Sequence, residues 1–159
     1  MTWIDPKFQS IIDEGKQLVQ EFLSCELSAI VLFCSRKEMS QVLIKEFEHK
    51  LINELEREVF LYELEFIEGR YFKEKNEIWL VDQYGNNLET LIHEYLHSIQ
   101  TCSPRRENIV KFLTYRLTES SSGIESKVLT EWLEIEKQEG LESIKKRLKT
   151  EGDCEEFWN

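Results

Sequence analysis

The chain has 159 residues, of which 41% are hydrophobic and 32% charged, and its formal net charge is −11. This length and apolar content suffice for one folded domain with a sizeable core, which excludes an intrinsically disordered chain. The acidic charge opposes binding to a phosphate backbone, and the longest apolar run (29–34) is too short to cross a bilayer. We therefore expect a single domain, 1–159, that binds neither nucleic acid nor a membrane.

The N-terminus and the cysteines bear on the compartment. The first ten residues contain no basic region leading into an apolar run, so no secretory signal is predicted. Four cysteines are scattered through the chain without a Cys-x-x-Cys pair, which argues against a zinc ribbon and a thioredoxin-like motif. We expect reduced thiols and a cytoplasmic protein.

The first half of the chain reads as alternating helices and strands. Helical spacing of apolar residues predicts a helix over 8–23 and a second one over 37–57, with a buried strand at 28–34 between them. Alternating apolar residues predict a strand over 58–67, and two further short strands are predicted at 70–75 and 77–82, joined around Asn76. The predicted order is helix, strand, helix and then three strands.

The second half is predicted to be helical. A helix is expected from residue 87 to about 101, with Asn86 as its N-cap, Glu89 in the capping-box position, and Ser103-Pro104 as its stop. Three more helices are expected at about 105–117, 124–138 and 141–149. The domain thus divides into a helix and strand part, 1–86, and a helical part, 87–159.

The helix at 87–101 carries the sequence His-Glu-Tyr-Leu-His. Residues four apart on a helix lie one turn above each other, so His93 and His97 project in nearly the same direction and can grip one metal ion. Glu94 points about 100° away around the axis, beside such an ion rather than on it. This division suits zinc hydrolysis, in which imidazoles bind the ion and an unligated carboxylate acts as general base.

The helix phase separates these histidines from the apolar surface. The expected apolar arc lies nearly opposite His93 and His97 and consists of Leu88, Leu91, Ile92, Tyr95, Leu96 and Ile99. A solvated histidine pair without metal is the alternative interpretation. The third histidine, His49, is expected to be a lone surface residue.

A catalytic zinc site needs a third protein ligand and one open position. No histidine follows His97, and the only later aspartate, Asp153, lies close to the end of the chain, so a glutamate is the expected ligand. Glu107, Glu119 and Glu125 are the candidates, and Glu107 lies off the apolar side of its predicted helix. Its alternative role is that of a first-turn glutamate favoured by the helix dipole.

The run HEYLH followed by ENIVKFLT resembles the zinc metallopeptidases called gluzincins. In that group a second helix supplies a glutamate in a pattern like Glu-Gly-x-Ala-x-Tyr/Phe, which corresponds here to Glu107, Val110 and Phe112, with Asn108 in place of the glycine. The position of Glu125 amid Val128, Leu129 and Trp132 is reminiscent of the ImmA/IrrE-type zincins. The resemblance covers roughly residues 28–117, and only the five-residue run is specific.

This resemblance implies a fold and an activity. The expected fold is α+β and zincin-like, a small mixed sheet packed on helices, with the metal-bearing helix followed by C-terminal helices. The expected function is zinc-dependent hydrolysis of peptide bonds in a peptide or protein substrate, with Zn²⁺ held by His93, His97 and Glu107, and with Glu94 as general base. Such enzymes bind extended substrates along an exposed edge strand, for which 70–75 and 77–82 are candidates, and Tyr115 is a candidate donor to a scissile carbonyl. The alternative is an inactive zinc-binding regulatory or interaction module, and the oligomeric state is left open.

Overall fold

The structure is a computed structural model that describes residues 6–50, 53–82, 87–100 and 107–149. Within these ranges it has an α+β fold with seven α-helices and a small mixed sheet of three strands. In the same ranges, no helix combines the length and the apolar character needed to span a membrane.

Two short 3₁₀ turns accompany these elements, at Pro6–Phe8 and Glu48–Lys50. In chain order the elements are α1 (Gln9–Leu23), β1 (Ile30–Cys34), α2 (Arg36–Phe47), α3 (Glu54–Leu64), β2 (Gly69–Phe72), β3 (Glu77–Val81), α4 (Asn87–Ile99), α5 (Glu107–Thr118), α6 (Ser126–Glu139) and α7 (Leu141–Leu148). The structure confirms, within a few residues, the predicted first helix, the strands at 28–34, 70–75 and 77–82, and the four later helices. The predicted Asn86 cap and the Ser103-Pro104 stop lie outside the described residues.

The predicted strand at 58–67 is wrong, because most of this segment belongs to α3. The Asn53 side chain caps this helix by accepting a hydrogen bond from the Glu56 backbone N–H at 2.8 Å. The predicted helix over 37–57 is correspondingly too long, since α2 ends at Phe47 and α3 is a separate helix. The order is therefore helix, strand, two helices and two strands.

The three strands are arranged in the order β1-β3-β2, with β1 parallel and β2 antiparallel to β3. The segment at 77–82 is thus the central strand rather than an edge, and β2 forms an edge. Asn76 takes a positive φ of 52° in the tight turn between β2 and β3, a conformation that Asn tolerates better than most residues. Its side-chain amide donates to Ser28 at 3.0 Å, which ties this turn to the start of β1.

Hydrophobic clusters cover both faces of the sheet. One face packs against α1, α4 and the C-terminal helices, and its largest fully buried members include Phe33, Ile78, Tyr95 and Phe112. The other face packs against α2 and α3 through a smaller cluster of Cys34, Met39, Leu43, Leu64, Phe72 and Val81. The sheet is therefore the middle of three layers, which is why its strands are rich in large apolar residues on both faces.

Two glycines allow close packing on α4. A Cβ at Gly69 would lie 2.8 Å from Thr90 Cγ2 and 2.9 Å from a Leu80 methyl carbon, so β2 reaches α4 only because this position has no side chain. On the opposite side, a Cβ at Gly15 would lie 3.0 Å from a methyl carbon of Leu91. Helix α4 is consequently held between β2 and α1 with little freedom to shift.

Candidate metal centre

Helix α4 supplies most of the candidate site. Its predicted apolar arc is confirmed, since Leu91, Ile92, Tyr95 and Leu96 are all essentially inaccessible to solvent. The predicted open position of both histidines is confirmed only for His93, which lines a cleft, whereas His97 is 2% exposed and lies beneath α5. The two histidines therefore have different surroundings although they lie on one side of the helix.

Three candidate ligands meet between α4 and α5. The Nε2 atoms of His93 and His97 are 3.2 Å apart. The Glu107 carboxylate lies across both rings, with Oε2 3.3 Å from His93 Nε2 and Oε1 3.0 Å from His97 Nε2. Among the described residues, these three form the one group of His, Cys, Asp and Glu side chains with the spacing of a metal site.

The spacing of these three side chains fits a zinc ion. Zinc bonds to nitrogen and oxygen are about 2.0–2.1 Å long, so two ligand atoms of a tetrahedral site lie about 3.3 Å apart. Each observed separation is close to this value: 3.2 Å between the two Nε2 atoms, 3.3 Å from His93 Nε2 to Glu107 Oε2, and 3.0 Å from His97 Nε2 to Glu107 Oε1. The donor set of two imidazoles and one carboxylate is also one that zinc accepts, and it leaves a fourth position free for water or substrate.

His93 and Glu107 stabilise each other's charged forms, which shifts the pKa of each. Burial opposes the charged form of His93, yet the hydrogen bond to Glu107 and the charges of Glu94 and Glu107 raise the pKa of this imidazole above its ordinary value. Burial alone would raise the pKa of Glu107, but hydrogen bonds from His93 and His97 hold it well below its usual range. Glu107 is therefore a carboxylate at neutral pH, the form that a metal ion requires.

Glu94 lies beside the three ligands rather than among them. Its Oε2 is 4.0 Å from His93 Nε2, and its Oε1 accepts a hydrogen bond of 2.8 Å from the backbone N–H of Tyr71 on β2. The carboxylate is 5% exposed and lines the cleft. Helix α4 and the edge strand β2 thus fix the predicted general base between them.

Gln100 orients one of the histidines. Its Oε1 lies 2.7 Å from Nδ1 of His97, and both side chains are buried. An amide oxygen can only accept a hydrogen bond, so Nδ1 carries a proton, and Nε2 is the ring nitrogen that faces Glu107 and His93 and is available to a metal ion. A partner of this kind fixes the tautomer and ring orientation of metal-binding histidines in general.

The cleft in front of His93 has a volume of about 700 Å³. The turn before β2 and its first residues form one wall, α4 forms the floor, and α5 with the following serine-rich turn forms the other wall. Charged side chains from all three parts line it, including Arg70, Glu94, Glu107 and Lys111. A cleft of this size can hold a small molecule or a short segment of peptide.

The other residues singled out from the sequence lie outside the group of His93, His97 and Glu107. Glu119 is exposed with a φ of 58° directly after α5, and Glu125 is exposed at the N-cap position of α6. Neither belongs to the group of possible ligands that the described residues form around the histidines. His49 is exposed, as predicted. Tyr115 lines the cleft. Glu89 accepts a hydrogen bond from the Ser122 hydroxyl at 3.1 Å, which links α4 to the serine-rich turn.

Three of the residues near the site that were not predicted are Gln100, Lys111 and Tyr71. Gln100 follows His97 by three positions, and this helical spacing is a signal that could have identified it. Lys111 follows Glu107 by one turn and could have been found in the same way. Tyr71 contributes a backbone group from a distant strand, for which the sequence contains no signal.

No protein-family model, curated protein or solved structure matches this chain. We therefore infer function from the geometry of the described residues.

Proposed function

We propose that this chain is a zinc-dependent metallopeptidase in which His93, His97 and Glu107 hold the ion and Glu94 is the general base. The observation that carries this proposal is the cluster of His93, His97 and Glu107, whose nitrogen and oxygen atoms lie 3.0–3.3 Å apart beside a cleft of about 700 Å³. The resemblance of the HEYLH segment to gluzincins supports zinc and peptide hydrolysis over other metals and reactions.

The protein groups have separate tasks in this proposal. When bound, a zinc ion supplies Lewis acidity, which polarises a carbonyl group and makes water more acidic. Glu94 takes a proton from the attacking water and delivers it to the leaving amine. Its Oε2 lies 4.0 Å from His93 Nε2, beside the proposed metal ligands. The Tyr71 N–H holds Oε1 in place, so the carboxylate does not need to reorient when substrate binds.

The edge strand β2 supports a peptide as substrate. The Tyr71 N–H donates to Glu94, which lines the cleft, so this backbone group of β2 is directed toward the cleft. An extended peptide alongside β2 would then pass Glu94 and His93 in turn. Lys111 and Tyr115, on the opposite wall, are available as donors to a substrate carbonyl.

A second candidate function is an inactive zinc-binding module, and one observation favours it. The buried Glu94 carboxylate already serves as the acceptor for a backbone N–H, which is a structural role that needs no catalysis. In that case the cleft would bind a peptide or protein partner without cleaving it. The two functions share the metal site and differ only in whether Glu94 transfers protons.

The experiment combines metal analysis with a cleavage assay on the full chain. We expect about one zinc per chain in wild type and in Glu94→Gln, and about none in a His93→Ala/His97→Ala variant. Zinc-loaded wild type should cleave members of a mixed peptide library, as detected by mass spectrometry. Glu94→Gln should cleave at least roughly 100-fold more slowly, because the general base is missing.

Glu119→Gln is the matched control for Glu94→Gln, since it removes the same charge at an exposed site. It should retain both zinc and cleavage. Zinc binding without cleavage by wild type would favour the inactive module. Absence of zinc binding by wild type would remove both functions.

A further inference from the structure

Helix α3 carries a row of large apolar side chains that point to solvent. Leu55, Val59 and Tyr62 follow one another at helical spacing, and the Phe66 ring continues the row with its centroid 5.2 Å from that of Tyr62. The four side chains are 70%, 49%, 67% and 64% exposed, respectively. They fall within about 60° of arc and extend over roughly three turns. We refer to these four residues as the α3 stripe.

The orientation of α3 is fixed by its opposite side. Leu64 is buried in the smaller cluster, on the face of the sheet that packs against α2 and α3. Phe60 packs against Phe47 of α2 with ring centroids 5.7 Å apart. The Arg36 guanidinium donates to the carbonyl of Leu64 at 3.2 Å and also to the carbonyl of Ile67. Because these contacts hold the inner side, the stripe cannot rotate inward without breaking them.

Acidic side chains border the stripe on both sides. Helical geometry puts Glu54, Glu58 and Glu65 along one flank and Glu56 and Glu63 along the other, and all five are exposed. Arg57 is the single basic residue of α3. An apolar row between two acidic rows is complementary to a segment with an apolar face and basic flanks.

We propose that the α3 stripe binds a cationic amphipathic segment of a protein partner. The charge pattern selects this occupant over others. A second copy of the chain would bring the glutamates of two α3 helices together in a symmetric contact. An anionic lipid surface would be repelled by the same glutamates and by the net charge of −11.

The stripe is continuous with the cleft, because Phe66 belongs to the stripe and also lines the cleft. A segment bound along α3 would therefore enter the cleft beside Glu68 and Arg70. We infer that the bound segment belongs to the substrate and that α3 is an exosite, a step that rests on the proposed peptidase function. Binding to α3 itself does not depend on that function.

The binding test uses the zinc-loaded full chain with the Glu94→Gln substitution, so that no probe is cleaved. The probe is a labelled helical peptide about five turns long, with leucines along one face and lysines elsewhere. A second peptide has glutamate in place of every lysine, and a third has the lysine and leucine residues in scrambled order. Fluorescence anisotropy should show saturable binding of the first peptide and at least about tenfold weaker binding of the other two.

Surface variants locate the binding site. Leu55→Gln/Tyr62→Gln should weaken binding of the first peptide at least about tenfold, whereas Ile30→Gln, which removes a 57% exposed apolar side chain from β1, should not. Glu58→Gln/Glu65→Gln should also weaken binding and reduce its salt dependence. The matched control, Glu14→Gln/Glu131→Gln, removes two exposed charges from α1 and α6 and should leave binding unchanged.

Several outcomes would overturn the proposal. These are equal binding of all three peptides, unchanged binding by Leu55→Gln/Tyr62→Gln, self-association that this variant abolishes, and equally tight binding to anionic phospholipid vesicles. For the exosite step, a cleavable sequence joined to the basic peptide should show a KM that rises in Leu55→Gln/Tyr62→Gln with little change in kcat. Cleavage without this KM effect refutes the exosite and leaves the peptidase function intact. Peptide binding to α3 without any cleavage refutes the peptidase function and leaves the binding surface intact.

Discussion

The backbone N–H of Tyr71 donates a 2.8 Å hydrogen bond to Oε1 of Glu94, and so joins the edge strand to the metal-bearing helix. Both residues are buried, so the bond is shielded from water. The same carboxylate has its other oxygen directed toward His93. The Glu94 side chain therefore both holds β2 against α4 and lies beside the proposed metal ligands.

This relationship predicts different consequences for two substitutions of Glu94. The amide oxygen of Glu94→Gln can still accept from Tyr71, so its free energy of unfolding should stay within about 0.5 kcal/mol of wild type. Glu94→Ala leaves a buried N–H without this acceptor and should lose about 1–3 kcal/mol. Urea denaturation of the metal-free proteins measures both values. An equal loss in the two variants would contradict a structural role for this hydrogen bond.

Glu107 is predicted to be the carboxylate ligand. Glu107→Gln puts a neutral amide in place of an anionic carboxylate that contacts both imidazoles. Loss of a residue that only orients a metal ligand usually lowers metal affinity roughly 10–100-fold, and the loss of zinc affinity here should be larger. Competition with a chromophoric chelator measures the dissociation constant.

Two matched variants decide between the glutamates that the sequence leaves open. Glu119→Gln and Glu125→Gln remove the same charge from exposed positions outside the cluster, and both should bind zinc as wild type does. If either variant loses affinity while Glu107→Gln retains it, the ligand assignment is wrong.

Most of the fold could be predicted from residue periodicity, and the exception has a physical reason. The apolar arc of α4 is confirmed by its burial. It could be predicted because a helix that packs against its neighbours has apolar residues at 3.6-residue spacing. In 58–67 the apolar residues alternate, as in a strand, because α3 buries one set of them against α2 and exposes another set to solvent. A helix with two apolar sides mimics the strand pattern, and only the cap at Asn53 contradicts it.

The candidate site was predictable to the extent that it is local. His93, Glu94 and His97 share one helix, so their relative directions follow from helix geometry alone. The position of Glu107 depends on how α5 returns along α4, which the resemblance to gluzincins suggested and which periodicity alone cannot give. The Tyr71 contact joins residues 23 positions apart through a backbone group, and a backbone group has no characteristic sequence.

The pH dependence of the unfolding free energy tests the burial of the Cys34 thiol at the end of β1. Burial raises the pKa of its thiol from 9.0 to about 11, so the folded state favours the protonated form. The resulting stabilisation is fully present below pH 9 and is lost as the pH rises toward 11, with a slope of up to about 1.4 kcal/mol per pH unit. The difference in unfolding free energy between wild type and Cys34→Ala should shrink over this interval. A difference that stays constant between pH 9 and pH 11 would contradict this role of the buried thiol.

Gln100 is predicted to position His97 for metal binding. Gln100→Leu removes the acceptor for the Nδ1 proton, so His97 can change tautomer or rotate, and zinc affinity should fall about 10–100-fold. Gln100→Glu restores an acceptor at the same place and should recover most of the affinity. A merely structural role for Gln100 would instead lower the unfolding free energy of the metal-free protein equally in both variants. Measuring zinc affinity and metal-free stability side by side separates these roles, and weakened zinc binding by Gln100→Glu as severe as that by Gln100→Leu would contradict the positioning role.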